Sequence, residues 1–444
     1  LENQRTHPPP VYRIRGRGMS QNTVRIISSW HARTPRVRRL FGSRKPVLTL
    51  RLMMFALVAI LLSQVHLTYA APQRAAAAPP AATTLSPQTP AGLSRRCAQA
   101  AATPNPIQAE NTCPGTKDWQ ANVPAGVWNA IMGFVTPSSV ERGQTLQLYV
   151  STLAPSYQFE IFRLGWYQGY GGRLMYRSPA LVGVDQPGPL VDPTTRMVSA
   201  ANWQEPVDVR IPPTWVSGVY IIKLISSDGF ARYTPFVVRD VASHAPIQMV
   251  IPFLTYQAYN NWGGYSLYDG DALDGNQLSA LRAYQVSFDR PYALNDGLGD
   301  LPRWDLATLR WFEREGYNVT YVADLDLTSA ASARGHRLIV ISGHAEYWSA
   351  AMRTALTSAR DTGTSLAFLG GDDVYWRVRL LASPLGPLRV VVCYRVAALD
   401  PMAATSPGEA TVRWRDAPVN QPEGTLIGAM YAGIYRGNLP LTFS

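Results

Sequence analysis

His344 and Glu346 stand two residues apart in "SGHAEYWS", residues 342–349. An imidazole and a carboxylate at that spacing, with phenols close by, suit a hard or borderline metal ion. Carboxylate and phenolate oxygens favour ferric iron, and imidazole favours zinc or iron. The same residues also fit a tight turn, with His344 bonding the backbone and Glu346 capping the helix that begins near Ser349. The residue types alone leave both readings open.

The surrounding elements decide whether such residues can meet. "PIQMVIPF" (246–253) is a continuous apolar run, as expected for a strand covered on both faces. "RWDLATLRWFEREG" has helical spacing, with Leu306, Leu309 and Phe312 on one face and Gly316 as a stop. "YNVTYV" and "HRLIVISG" read as strands. "SAAMRTALTSARDTG" reads as a helix capped by Ser349 and ended at Gly363. "SLAFLGG" and "RVVVCY" are strands again. The alternation predicts a doubly wound parallel α/β sheet of flavodoxin- or amidotransferase-like type over residues 243–444.

Ligands bind beyond the carboxyl ends of such strands. Three strand ends deliver Tyr256, Tyr259, Tyr265, Tyr268, Asp269, His344, Glu346, Asp372 and Asp373 to one rim. This convergence is a stronger signal than any single motif.

Residues 116–242 carry short alternating runs such as "QTLQLYVST", "YQFEIFRLGWY" and "GVYIIKLISSDGFARYTPFVVRD", divided by Gly, Pro and Asp. They predict an all-β, immunoglobulin-like sandwich. Residues 71–115, rich in Ala, Pro, Thr and Gln, read as a linker. Residues 1–70 read as a basic leader followed by an apolar segment, a signal peptide or a membrane anchor. That pattern predicts an exported chain, secreted or anchored with its globular part outside the cytoplasm. Membrane contact is expected only through the apolar segment.

The net charge of +11 would suggest nucleic acid were it spread over the folded part. It is not. Of 41 Lys and Arg, 12 lie within residues 1–52 beside one of the 30 acids, and the remaining 29 bases and 29 acids balance. A basic groove is not indicated. Export permits disulfides, and Cys97–Cys113 would close a short loop, while Cys393 reads as a buried core thiol. His244 and His336 read as structural.

Several enzyme classes lack their motifs. No G-x-S-x-G elbow follows a strand. No rim cysteine serves as an amidotransferase nucleophile. "NNWGG" supplies no G-x-G-x-x-G, so no nucleotide cofactor is indicated. "DGDALDGN" lacks the terminal Glu of an EF-hand.

The blocks "YQAYNNWGGYSLYD", "SGHAEYWS", "LGGDDVYWRVR" and "ATVRWRD", spread over about residues 245–430, resemble the C-terminal domain of the large (beta) subunit of N,N-dimethylformamidase. That resemblance implies an iron-dependent hydrolase of C–N amide bonds. Its mononuclear iron is held by two tyrosines and a glutamate. On this chain they correspond to Tyr259 (with Tyr256 as the alternative), Tyr268 and Glu346. The neighbouring histidine corresponds to His344. The family asparagine is replaced here by Asp372. His344 and Asp372 are therefore the expected catalytic pair, and Asn261, Trp262 and Trp348 the expected substrate contacts. The substrate is expected to be a small molecule or a cell-surface component. The domain is expected to be cut short at its C-terminus. The competing expectation is a non-catalytic glycan- or cell-wall-binding protein whose aromatics (Trp262, Tyr265, Trp348, Trp376) stack on sugar rings.

Overall fold

Alternating burial builds the β-rich half. In the strand Thr145–Thr152, Leu146, Leu148 and Val150 are buried on one face. A computed structural model describes residues 83–87, 97, 99–120, 129–272 and 276–433. Two sheets face each other there. One runs in the order Thr83–Leu85, Val207–Arg210, Thr145–Thr152, Ile131–Thr136. The other runs Ser139–Glu141, Ala231–Arg239, Gly218–Ser226, Ser156–Leu164, Gly172–Arg177. Leu146, Leu148 and Val209 meet Phe159, Ile161, Ile222 and Phe236 in their shared core. Each such side chain stabilises the fold by roughly 1.5–3 kcal/mol on burial. Cys97 and Cys113 are joined in a disulfide, and Cys393 is free and buried.

The second sheet also buries its opposite face. Phe162, Val219, Ile221 and Val237 share a core with Met249, Ile251, Val319 and Tyr321. Those four belong to a parallel sheet in the order Val319–Ala323, Ile247–Ile251, Leu338–Ile341, Ser365–Phe368. The Tyr321 backbone N–H donates to Ser217 Oγ at 2.9 Å, tying the two regions together. The described residues belong to one compact unit.

The expected doubly wound parallel α/β fold is overturned. Among the described residues strands outnumber helices, and beside the one four-stranded parallel sheet they form mixed and antiparallel sheets, with no doubly wound parallel sheet evident. Two causes stand out. Strands of the β-rich half pack where such a fold would carry helices. The run "RVVVCY" also leaves the parallel pattern. Only Pro384 and Leu385 separate the strand Trp376–Ser383 from Gly386–Val392, and the two pair antiparallel. Two residues can close a hairpin, whereas a parallel crossover needs a dozen or more.

The longer helices follow their local signals. Ala350–Asp361 is capped by Ser349 Oγ, which accepts from the Met352 N–H at 3.2 Å. Leu306–Arg314 buries Leu309 and Phe312. Membrane contact through the N-terminal apolar segment is also withdrawn. Among the described residues no helix is long and apolar enough to cross a membrane, and residues 53–70 lie outside the described residues.

Candidate metal centre

Three of the four strands of the parallel sheet, Ile247–Ile251, Leu338–Ile341 and Ser365–Phe368, hand their following loops to one place. The helix Phe253–Tyr259 directly follows Ile247–Ile251 and ends on Tyr259. Tyr268 lies in the next turn. Ser266 Oγ accepts from the Tyr268 and Asp269 N–H groups, both at 3.0 Å, and the Leu267 N–H donates to Ala258 O at 2.9 Å. The turn is thereby fixed to the helix.

His344 and Glu346 follow Leu338–Ile341 through Gly343. Gly343 has φ +70°, and a Cβ there would lie 2.6 Å from Trp304 Cβ, so only glycine fits the turn. The Glu346 N–H donates to Thr255 Oγ1 at 3.0 Å, locking this loop onto the Tyr259 helix. Asp372 and Asp373 follow Ser365–Phe368. The Asp373 carboxylate accepts from the Ala345 N–H at 3.0 Å and the Gly370 N–H at 3.1 Å, bracing two loops. Burial raises its pKa to about 7.

The polar ends converge on Glu346, which is 3% exposed. The Tyr268 hydroxyl lies 2.7 and 2.6 Å from its two carboxylate oxygens. The Tyr259 hydroxyl lies 2.9 Å from Oε2 and 2.8 Å from the Tyr268 hydroxyl. His344 Nε2 is 3.2 Å from Oε2 and 3.5 Å from Asp372 Oδ1. The Trp376 indole N–H donates to Oε1 at 2.9 Å. His344, Glu346 and Asp372 each offer a ligand atom within 4.8 Å of the others.

The site therefore brings together Tyr259, Tyr268, His344, Glu346 and Asp372. It does not include Tyr256, which is buried and donates to Asp305 instead. Asn261 sits half-buried at the start of a turn, its carbonyl accepting from the Gly264 N–H at 2.8 Å. Trp262 is buried among Phe134 and Trp203, and Trp348 is buried with its N–H donating to Ala345 O at 2.6 Å. Neither ring offers a face to a ligand.

The sequence marks Trp376 only as a rim aromatic and does not single out Arg395 at all. Trp376 pairs with Tyr347 across the strand Tyr347–Ser349. The Arg395 guanidinium lies 4.1 Å from the Tyr268 ring centroid. Trp376 stands just past the "LGGDD" rim block, a signal present in the chain itself. Arg395 comes in on the hairpin that the expected parallel fold had no place for.

Burial, then the Glu346 charge, push the Tyr259 phenol far above its ordinary range. Tyr268 is raised likewise, by burial, then Tyr347 and Glu346. Both phenols hold their protons unless a cation arrives. Burial opposes a charge on His344, but its hydrogen bond to Glu346 and the charge of Asp372 outweigh that and raise its pKa. Asp372 is raised by burial and by Glu346.

The residues fit a metal ion. One oxygen each from Tyr259, Tyr268 and Glu346 lie 2.6–2.9 Å apart. Neighbouring ligands of one ion with bonds near 2 Å have about that separation. Two phenols and a carboxylate are also the hard, anionic donors that ferric iron prefers.

A family model described as N,N-dimethylformamidase beta subunit-like, C-terminal, matches residues 158–442. The chain belongs to this family. The match reaches back into the β-rich half, well before residue 245. Membership in the dimethylformamidase-like family supports a hydrolase at the family level. No curated protein matches the chain. Among solved structures, an uncharacterized protein from Bacillus anthracis str. Ames is 11% identical, covers 23% of this chain and 78% of its own, with a TM-score of 0.16. The superoxide reductase (neelaredoxin) from Ignicoccus hospitalis is 11% identical, covers 26% and 85%, with a TM-score of 0.15. At such TM-scores neither bears on the fold or the function of this chain.

Proposed function

We propose that Tyr259, Tyr268 and Glu346 hold a mononuclear iron and that the protein hydrolyses a C–N amide bond. The supporting observation is the triangle of three oxygens 2.6–2.9 Å apart, buried at converging strand ends. When bound, iron would polarise the amide carbonyl and lower the pKa of a water.

The remaining work falls to this chain's own side chains. Trp376 Nε1–H steadies the carboxylate of Glu346 by donating to Oε1. His344, held between Glu346 and Asp372, carries a proton at Nε2 towards the leaving amine. Its raised pKa favours the protonated form needed for that step. Asp372 orients the attacking water or keeps His344 protonated through its charge. The leader pattern and the Cys97–Cys113 disulfide support export to an oxidising compartment.

The test is elemental analysis of the purified protein and of Glu346→Ala. Iron near one per chain in the wild type and background in the variant is expected. Equal, negligible iron in both would sink the proposal.

A further inference from the structure

Arg395 follows the antiparallel strand Gly386–Val392 and adopts φ +64°, a left-handed conformation rare for a residue with a side chain. The surrounding structure enforces it, because the Arg395 N–H donates to Thr411 O at 2.7 Å and the Tyr394 N–H donates to Thr411 Oγ1 at 2.8 Å. The result aims the side chain inward. Its guanidinium lies 4.1 Å from the Tyr268 ring centroid and 4.8 Å from that of Trp376. Nη2 donates to the Tyr347 hydroxyl at 2.5 Å. The two rings it touches are the ones whose polar ends both reach Glu346, at 2.6–2.7 Å from Tyr268 and 2.9 Å from Trp376.

We infer that Arg395 is a positioning residue of the metal centre, a planar cation clamped against Tyr268 and Trp376 that sets the direction from which both approach Glu346. The inference rests on the metal-centre reading above. Its physical basis is that a guanidinium stacks on aromatic faces as a plane and keeps its charge when buried, whereas an ammonium is a point charge that cannot define the angle of two rings. Arg395 also places a fixed positive charge behind a donor set of three potential anions, which favours holding them together.

Two variants separate shape from charge. Arg395→Lys keeps the charge and loses the plane; Arg395→Met keeps apolar contact and loses both. Circular dichroism and thermal melting first establish that each is folded. Crystal structures of the metal-free variants then read the clamp directly. Displacement of the Tyr268 hydroxyl or the Trp376 indole from Glu346 is expected in both. Wild-type positions in both would overturn the clamp whatever the metal does. Ferric iron titration supplies the second readout, followed by the phenolate-to-iron absorption band in the visible. Affinity about 10–100-fold weaker in Arg395→Met, with a shifted band, is expected from losing an outer support of a metal ligand. Wild-type affinity and band in a folded Arg395→Met would overturn the inference. A wild type that binds no iron, with displaced rings in the variant crystals, would instead overturn the metal reading and leave the clamp standing.

Discussion

Two buried glutamates in this molecule have opposite surroundings. Glu313, on the helix Leu306–Arg314, is fully enclosed and met by Arg163 at 2.7 and 3.0 Å. Tyr321 adds a hydroxyl at 2.9 Å and Asn111 an amide at 2.8 Å. Its charge is balanced by a forked guanidinium and its oxygens are saturated. Glu346 accepts from two phenols, an indole and an imidazole. The Arg395 guanidinium lies against the Tyr268 ring instead of on the carboxylate. The first arrangement closes a structural joint between the two sheet systems. The second gathers donors without placing a guanidinium on the carboxylate, and so leaves room for a metal ion. Tyrosines surround both carboxylates, so the difference lies in the position of arginine.

The largest effect is expected where that joint is broken. Arg163→Met leaves Glu313 buried without its cation and should cost about 3–5 kcal/mol in urea unfolding, by the rule for half-removed buried pairs. A loss below about 1 kcal/mol would erase the contrast. Glu346→Gln should behave the other way. Bound iron should drop at least about tenfold, while unfolding free energy changes by only about 1 kcal/mol, because the phenols and indole still find an acceptor. A stability loss as large as that of Arg163→Met would make Glu346 a second structural joint.

A third test uses Asp305, a buried carboxyl outside both clusters. Burial raises its pKa to about 8, with Tyr256 donating to it. The unfolded chain ionises near 4, so between about 4 and 8 the folded state binds the extra proton. Stability should therefore fall as pH rises across that window, by at most about 1.4 kcal/mol per pH unit from this group. Asp305→Asn, which still accepts from Tyr256, should flatten the dependence in pH-resolved melts. An unchanged slope would assign it elsewhere. The smallest effect is expected at Asp372→Asn. Removing that charge should lower the His344 pKa, read by NMR titration of the imidazole in metal-free protein. An upward movement would contradict the geometry.

Much of the candidate centre was legible in the sequence. Tyr259, Tyr268, His344, Glu346 and Asp372 all follow apolar runs long enough to be buried strands, and parallel pairing brings such ends together. The aromatics were harder to read. Trp262 and Trp348 look like exposed rim residues beside Gly and His, yet the β-rich half and the helix Ala350–Asp361 cover them. Composition does not report which neighbour will cover a ring.

The features written in the chain alone are local ones. They are the strands, the Ser349 cap, and the family to which these spacings belong. Features that depend on distant chain came from the packing. A two-residue turn sent "RVVVCY" back antiparallel and delivered Arg395 to the Tyr268 ring. The β-rich half took the place of helices against the parallel sheet. Periodicity records which residues avoid water, but not which surface shields them, and so the donors could be read from the chain while their supports could not.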